Sequence, residues 1–309
     1  MKVLITGGCG FLGSNLTERM LEAGNEVLVI DNFETGRRDN LQAADGLEIV
    51  EGTIVDSSLV DAAFEGFEPD VVAHAAASYR DPENWGGDVA TNTQGTVNVV
   101  RAAQRAGVKR IVYFQTALCY GTSPLEEPIT LDHPLRPDSS YAISKTGGEQ
   151  YIEMSGLDFV SMRLANAYGP RNLSGPLPTF FHRLTEGRQC FVADTRRDFV
   201  FADDVVDVFE MALNGTGQGY YHLSSGADEA IKDVFDAAVD ALGIVLDEPV
   251  EVRPRGEDDA FTILLDPSRI QAEFGWTPKT NLSDGVASAI EWYRENGVTQ
   301  TYTHLKISE

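Results

Sequence analysis

The chain is short of cysteine, short of positive charge and without any long apolar run, and each shortage removes a class of function. Its three cysteines, Cys9, Cys119 and Cys190, lie far apart and form no CxxC pair. They supply neither a disulfide framework nor a zinc spacing, and Cys9 and Cys119 read as small buried residues. Lysine and arginine number 24 against 48 acidic residues, a net charge of −24. The acids are spread along the whole chain, which argues against an acidic tail and against nucleic-acid binding. Solvation in high salt, where screening removes most self-repulsion, is one reason for such a balance, so a halophilic source is a hypothesis. No segment approaches the ~20 apolar residues that span a bilayer. Met1–Thr6 runs straight into glycines and reads as a first strand, not a secretory signal. A cytoplasmic protein with no membrane partner is expected.

What is present is a chain of 309 residues, 42% hydrophobic, enough for one large domain or two intimate ones. Residues 2–6 are apolar and β-prone, and Gly7-Gly8-Cys9-Gly10-Phe11-Leu12-Gly13 follows. Phe11, Leu12, Leu16, Met20 and Leu21 then recur at helical spacing. Strand, glycine turn and helix in this order suit a dinucleotide pyrophosphate. Gly7 permits the turn, Gly10 lets backbone approach the phosphates, and Gly13 lets the helix pack on the strand. The helix N-terminus adds N–H groups and positive dipole. A second strand, 26–30, ends in Asp31-Asn32, where an acid binds adenosine ribose hydroxyls and repels a 2′-phosphate. NAD is expected over NADP, although Arg37 and Arg38 follow.

The alternation continues through strands 47–50, 71–74 and 110–114, which predicts a doubly wound parallel α/β sheet. Asp56, beyond the turn holding Ile54, can cap a helix or touch the adenine. Ala75-Ala76-Ala77-Ser78 is small enough to admit a cofactor against backbone. His74 reads as structural, with no pairing group evident. Thr116 ends the fifth strand, where ligands of such sheets bind. Tyr141 and Lys145 are four apart, hence on one face of a helix. A free phenol titrates near ~10, and a neighbouring ammonium would lower Tyr141 toward a working value. The spacing alone is weak, since such pairs arise often by chance.

GGCGFLGSN, DNFETGRRDNL, QTALCYG, YAISKTGGE, RLANAYGPRN, RRDFVFADDV and DPSRIQAEFGWTP occur in order along the chain. Together they resemble the extended short-chain dehydrogenase/reductases, within them the NAD-dependent nucleotide-sugar epimerase/dehydratase family, and most closely its UDP-sugar 4-epimerases. The resemblance implies a Rossmann-type domain, 1–165 and 199–226, interleaved with a smaller mixed α/β nucleotide-sugar lobe, 166–198 and 227–309. It implies NAD contacts at Gly7, Gly10, Phe11, Leu12, Asp31, Asn32, Ile54, Asp56, Ala75, Ala77, Asn92, Tyr141 and Lys145. Tyr141 would be the base, Lys145 its tuner and Thr116 the hydroxyl orienting the sugar. Asn166, Arg197 and Arg255 would hold the nucleotide diphosphate, with Arg253 an alternative to Arg255, and Phe191 would lie against the base. A homodimer through the helices around 92–105 and 141–154 is also implied.

Departures from the family pattern narrow the chemistry. Family dehydratases follow this Thr with an Asp-Glu pair, but here Ala117 and Leu118 stand there. Elimination thus lacks its acid and base, which leaves epimerisation of a UDP-hexose or UDP-hexuronate at carbon 4. Ser174-Gly175-Pro176-Leu177-Pro178 replaces an Asn pair common in epimerases and leaves the sugar open. A keto-sugar reductase of the same family is the rival, and product mass separates the two. A non-catalytic dinucleotide sensor could dispense with Tyr141 and Lys145. Gly169 through Pro178 reads as a loop, Asp203-Asp204 as a helix cap, and Glu126-Glu127 and Asp258-Asp259 as solvated charges.

Overall fold

The computed structural model describes residues 1–256, 260–298 and 301, so Asp258-Asp259 and the last residues lie outside the description. The expected sheet is present. Strands β1 (Lys2–Thr6), β2 (Glu26–Asp31), β3 (Leu47–Glu51), β4 (Val71–His74), β5 (Arg110–Thr116) and β6 (Phe159–Leu164) alternate with helices. The helices between them are α1 (Phe11–Glu22), α2 (Ser57–Phe67), α3 (Trp85–Asp88), α4 (Thr96–Ala106) and α5 (Ser140–Met154), with a π-helical turn at Val89–Gly95 joining α3 to α4. The chain continues through β7 (Asn166–Tyr168), α6 (Pro176–Thr185), β8 (Phe191–Ala193), β9 (Arg196–Arg197), β10 (Phe199–Phe201) and α7 (Ala202–Leu213). It ends in β11 (Gly219–Leu223), β12 (Glu229–Ala230), α8 (Ile231–Leu242), β13 (Glu251–Arg253), α9 (Ser268–Phe274) and α10 (Leu282–Asn296).

The main sheet has seven strands in the order β11-β6-β5-β4-β1-β2-β3, and every pairing in it is parallel. Both faces are covered, so the strands are continuous apolar runs rather than alternating ones. One face buries Val3, Ile5, Val27 and Val29 against Leu16 and Met20 of α1 and Val205 and Phe209 of α7. The other buries Leu4, Leu28, Val72 and Ile111 against α2 and α4. The strand order reverses between β1 and β4, and ligands bind at the carboxyl ends beside such a reversal.

A separate apolar cluster joins Phe180 and Phe181 of α6, Val234 and Phe235 of α8, and Val286 and Ile290 of α10. The pairs β7–β10, β8–β13 and β9–β12 frame this smaller layer. Three local expectations change. The Gly-Pro stretch is a loop only as far as Gly175, for Pro176 opens α6, a position where its missing N–H costs nothing. Residues 268–276, expected in the smaller lobe, return to the large sheet through Ile270, Phe274 and Trp276. Asp204 does not cap its own helix: its buried carboxylate accepts from the backbone N–H groups of Lys279 and Thr280 and ties that segment down.

Candidate active site

A cleft of about 980 Å³ opens along the carboxyl ends of the sheet, between the large and small layers. Its floor is the glycine turn. Gly7 has φ +70, and a Cβ there would lie 2.7 Å from the Ala76 nitrogen; at Gly13 one would lie 2.1 Å from the Gly7 carbonyl oxygen. Only glycine therefore permits strand, turn, helix and the loop after β4 to meet so closely. Asp31 ends β2, 6% exposed, and accepts from the N–H groups of Cys9 and Phe33, each at 2.8 Å. Burial raises its pKa against the lowering effect of those two N–H groups. The carboxylate lines the cleft with lone pairs left for hydroxyl donors. Arg37 and Arg38, the two cations nearby, are paired with Asp39 at 2.6 Å and Glu51 at 2.5 Å. The turn, the helix terminus and the acid fit the adenosine and pyrophosphate of NAD.

On the far side, Ser139 caps α5 by accepting from the Ala142 N–H, and this helix brings Tyr141 and Lys145 to the cleft. Thr116 stands at the end of β5, where its hydroxyl accepts from the Leu118 N–H at 3.2 Å and acts on the Tyr141 phenol in the direction that lowers its pKa. The Tyr141 ring also meets Tyr79 edge-on, with centroids 6.4 Å apart. Lys145 is 1% exposed, its ammonium 4.0 Å from the centre of the Tyr113 ring. Burial pulls its pKa down to about 7, opposed by the charge of Glu149. The expected lowering of Tyr141 is not met by these residues alone. Burial and the neighbouring Tyr79 drive the phenol upward, and the Thr116 hydroxyl works against them.

Gly7, Gly10, Phe11, Leu12, Asp31, Asn32, Ile54, Ala75, Ala77, Asn166, Phe191 and Arg197 all line this one cleft. Four expected cofactor or substrate contacts are not among its lining residues: Thr116, which directly follows the lining residue Gln115, and Asp56, Asn92 and Arg255. Asp56 caps α2, accepting from the N–H groups of Ser58 and Leu59. Asn92 is buried in the π turn, where it bonds the Ser78 N–H and carbonyl and the Ser144 hydroxyl. It fixes the loop after β4 against α5. Arg255 is exposed outside the lining, whereas Arg253 lines the cleft with its guanidinium 3.8 Å from the Phe191 ring centre.

Two further expectations gain detail. His74 does have partners: its ring nitrogens lie 2.6 Å from the Thr6 hydroxyl and 2.9 Å from that of Thr96. Burial takes its pKa down to about 3, so it is a neutral structural group. Ala117 is buried with Cys119 and Tyr120, and Leu118 packs on the same cluster. All three cysteines are free and buried. Tyr79, Arg80, Arg171 and Arg183 also line the cleft without having been singled out, because each sits in a loop or helix whose orientation no local period reveals.

A doubly wound sheet with this turn, acid, and Thr-Tyr-Lys set defines a dinucleotide-dependent enzyme of the extended short-chain dehydrogenase/reductase type. The model of the NAD dependent epimerase/dehydratase family matches residues 3–222, and the chain belongs to that family, with NAD as its cofactor. A UDP-glucose 4-epimerase of Mycolicibacterium smegmatis is 35% identical over 95% of this chain and 99% of its own. The Bordetella bronchiseptica enzyme WbmH, solved with NAD⁺, superposes with a TM-score of 0.94 at 52% identity, covering 96% of this chain and 99% of the other. WbmG of the same organism, solved with NAD and UDP, gives 0.92 at 47% identity over 98% of both chains.

Proposed function

We propose that this enzyme epimerises a nucleotide sugar, a UDP-hexose or UDP-hexuronate, at carbon 4. The observation that carries the reading is Tyr141 at the cleft, one helical turn from Lys145, with Thr116 at the end of the neighbouring β5 and no acid or base at 117 and 118. The lining supports an anionic ligand pair. Arg37, Arg80, Lys145, Arg171, Arg183, Arg197 and Arg253 line it, against Asp31 and Glu34 as the acids among the described residues. In a chain with twice as many acids as bases, that local reversal favours diphosphates. Arg197 and Arg253 would hold the sugar nucleotide's diphosphate, with the uridine against Phe191.

NAD, when bound, accepts hydride from the sugar carbon and gives it back. Tyr141 takes the proton of the 4-hydroxyl as that carbon is oxidised and returns it when the carbonyl is reduced. Thr116 shares that proton through a hydrogen bond. The positive charge of Lys145 favours the phenolate form against the burial that opposes it. Inversion requires the keto-sugar to present its other face between the two transfers, and apolar Ala117 and Leu118 offer no group that would expel water instead. Tyr141→Phe should keep NAD affinity and lose at least ~10³-fold in turnover. Incubation with a panel of UDP-sugars, isomers resolved, checks the reaction; a variant with substantial residual turnover sinks the role given to Tyr141.

Polysaccharide precursor synthesis, a cytoplasmic location and a homodimer belong to the same proposal, following from the family resemblance of the sequence. Among the described residues no helix is long and apolar enough to cross a membrane.

A further inference from the structure

Behind the cleft lies a buried polar cluster that the proposed chemistry does not use. Glu149 follows Lys145 by four residues on α5, hence on the same helix face, and each is 1% exposed. Its carboxylate accepts from the Ser161 hydroxyl at 2.6 Å and from the Arg163 guanidinium at 2.9 and 3.3 Å. Arg163 in turn donates to the Tyr120 hydroxyl at 2.7 Å, which lies 2.6 Å from the His222 ring. The far ring nitrogen of His222 is 3.0 Å from the Asp266 carbonyl oxygen. The carboxylate is thus fixed from strand β6 and cannot turn away from α5. Tyr113 holds Lys145 at both ends, its hydroxyl donating to the Lys145 carbonyl at 3.2 Å and its ring facing the ammonium.

We propose that Glu149 is a positioning residue for the reaction: its locked carboxylate keeps the buried Lys145 charged, with Tyr113 fixing where that charge points. This rests on the reading that Lys145 acts as an ammonium beside Tyr141. An isolated buried ammonium loses its proton readily, and Lys145 has no hydrogen-bonded carboxylate of its own among the described residues. The other ionisable groups around it do not supply the missing negative charge. Tyr141 on α5 and Tyr113 on β5 are both held neutral by burial. His74 on β4 is neutral too, with a pKa of about 3, and Arg163 on β6 is a cation. Asp88, at the end of α3, acts on Tyr141 and is bonded by the Ser78 hydroxyl. Glu149 is the counter-charge in reach. Its attraction opposes the burial that brings Lys145 down to about 7.

The sign of the test follows. Removing the carboxylate lowers the Lys145 pKa further, so the amine is neutral over more of the working range and activity is lost at lower pH on the alkaline side. The measurement is the titration midpoint of Lys145 by NMR in the full-length NAD-loaded protein with 13Cε-labelled lysine, assigned with Lys145→Arg. Glu149→Gln should move the midpoint down by about 1 pH unit or more. The alkaline limb of turnover should move by the same amount. Glu149→Asp, which keeps the charge, should restore most of the wild-type midpoint. Because Glu149→Gln strands the buried Arg163 and could unfold the protein, the double variant Glu149→Gln/Arg163→Met carries the same measurement, with a smaller drop expected because the opposing guanidinium charge leaves with the carboxylate. A midpoint unchanged in a folded single or double variant overturns the proposal, as does a drop that Glu149→Asp shares in full. Failure of the wild type to epimerise any sugar would defeat the proposed function yet leave the midpoint readable.

Discussion

Asp31 holds a fixed position at the end of β2, and from there it is proposed to select the dinucleotide. Two backbone donors hold its oxygens at the end of β2, and the paired Arg37 and Arg38 are engaged with other carboxylates. A 2′-phosphate would meet negative charge with no unengaged arginine from this pair to neutralise it. Asp31→Ser should weaken NAD binding by about 10- to 100-fold, the worth of hydrogen bonds to a charged group, and narrow the preference over NADP. Calorimetric titration with both cofactors checks it, and an unchanged NAD affinity would count against the carboxylate's role. At this scale the sequence was most legible where spacing itself dictates contact, as in the glycine turn and the Tyr141–Lys145 pair. It misled where a polar residue had two plausible partners. Asp56 takes the capping role, one of the two it could have had, Asn92 braces the loop after β4, and Arg253 rather than Arg255 lines the cleft. Nothing in the residue type separates those outcomes, since each depends on which way a side chain leaves a turn.

The helices α3 to α5 do more than fill the sheet's face. The π turn at Val89–Gly95 offsets Asn92 so that it meets both the loop after β4 and Ser144. Such turns cluster at functional positions. Gly148 makes the approach possible, since a Cβ there would lie 2.6 Å from the Asn92 carbonyl oxygen. The outward side of the same helices is apolar: Trp85, Val89, Ile143, Tyr151 and Met154 are all well exposed. Ile143, Tyr151 and Met154 recur at helical spacing on α5, a stripe that a soluble monomer has no reason to display. A second copy of the chain seated there would make a symmetric four-helix contact. Sedimentation of the native protein should therefore give a dimer, and Ile143→Glu with Met154→Glu a monomer that retains its fold. A monomeric native protein would end this reading. The helices themselves were legible from period; the π turn was not, because one extra residue per turn leaves no mark on a seven-residue stretch.

For the whole molecule the governing quantity is charge. Surface pairs such as Lys109–Asp70 and Lys232–Asp236 neutralise a few acids, but a net −24 leaves the fold under self-repulsion. Raising NaCl from 0.1 M to 1 M shortens the screening length from about 10 Å to about 3 Å. The melting temperature should rise over that range, and a flat or falling one would remove the case for a halophilic source. The cleft escapes this general sign because its arginines are gathered from segments far apart in the chain, Arg37 through Arg253. Composition cannot show such a gathering. What the sequence determined alone was everything set by local period and spacing: the alternating parallel sheet, the glycine turn, the acid after β2, and a phenol and an ammonium on one helix face. Only the tertiary structure decided that Thr116 meets Tyr141, that residues 268–276 rejoin the large sheet, and that Glu149 stands locked behind Lys145. Those contacts join residues on different strands and helices. The balance between burial and neighbouring charge that sets Tyr141 and Lys145 exists only once the chain has excluded water around them.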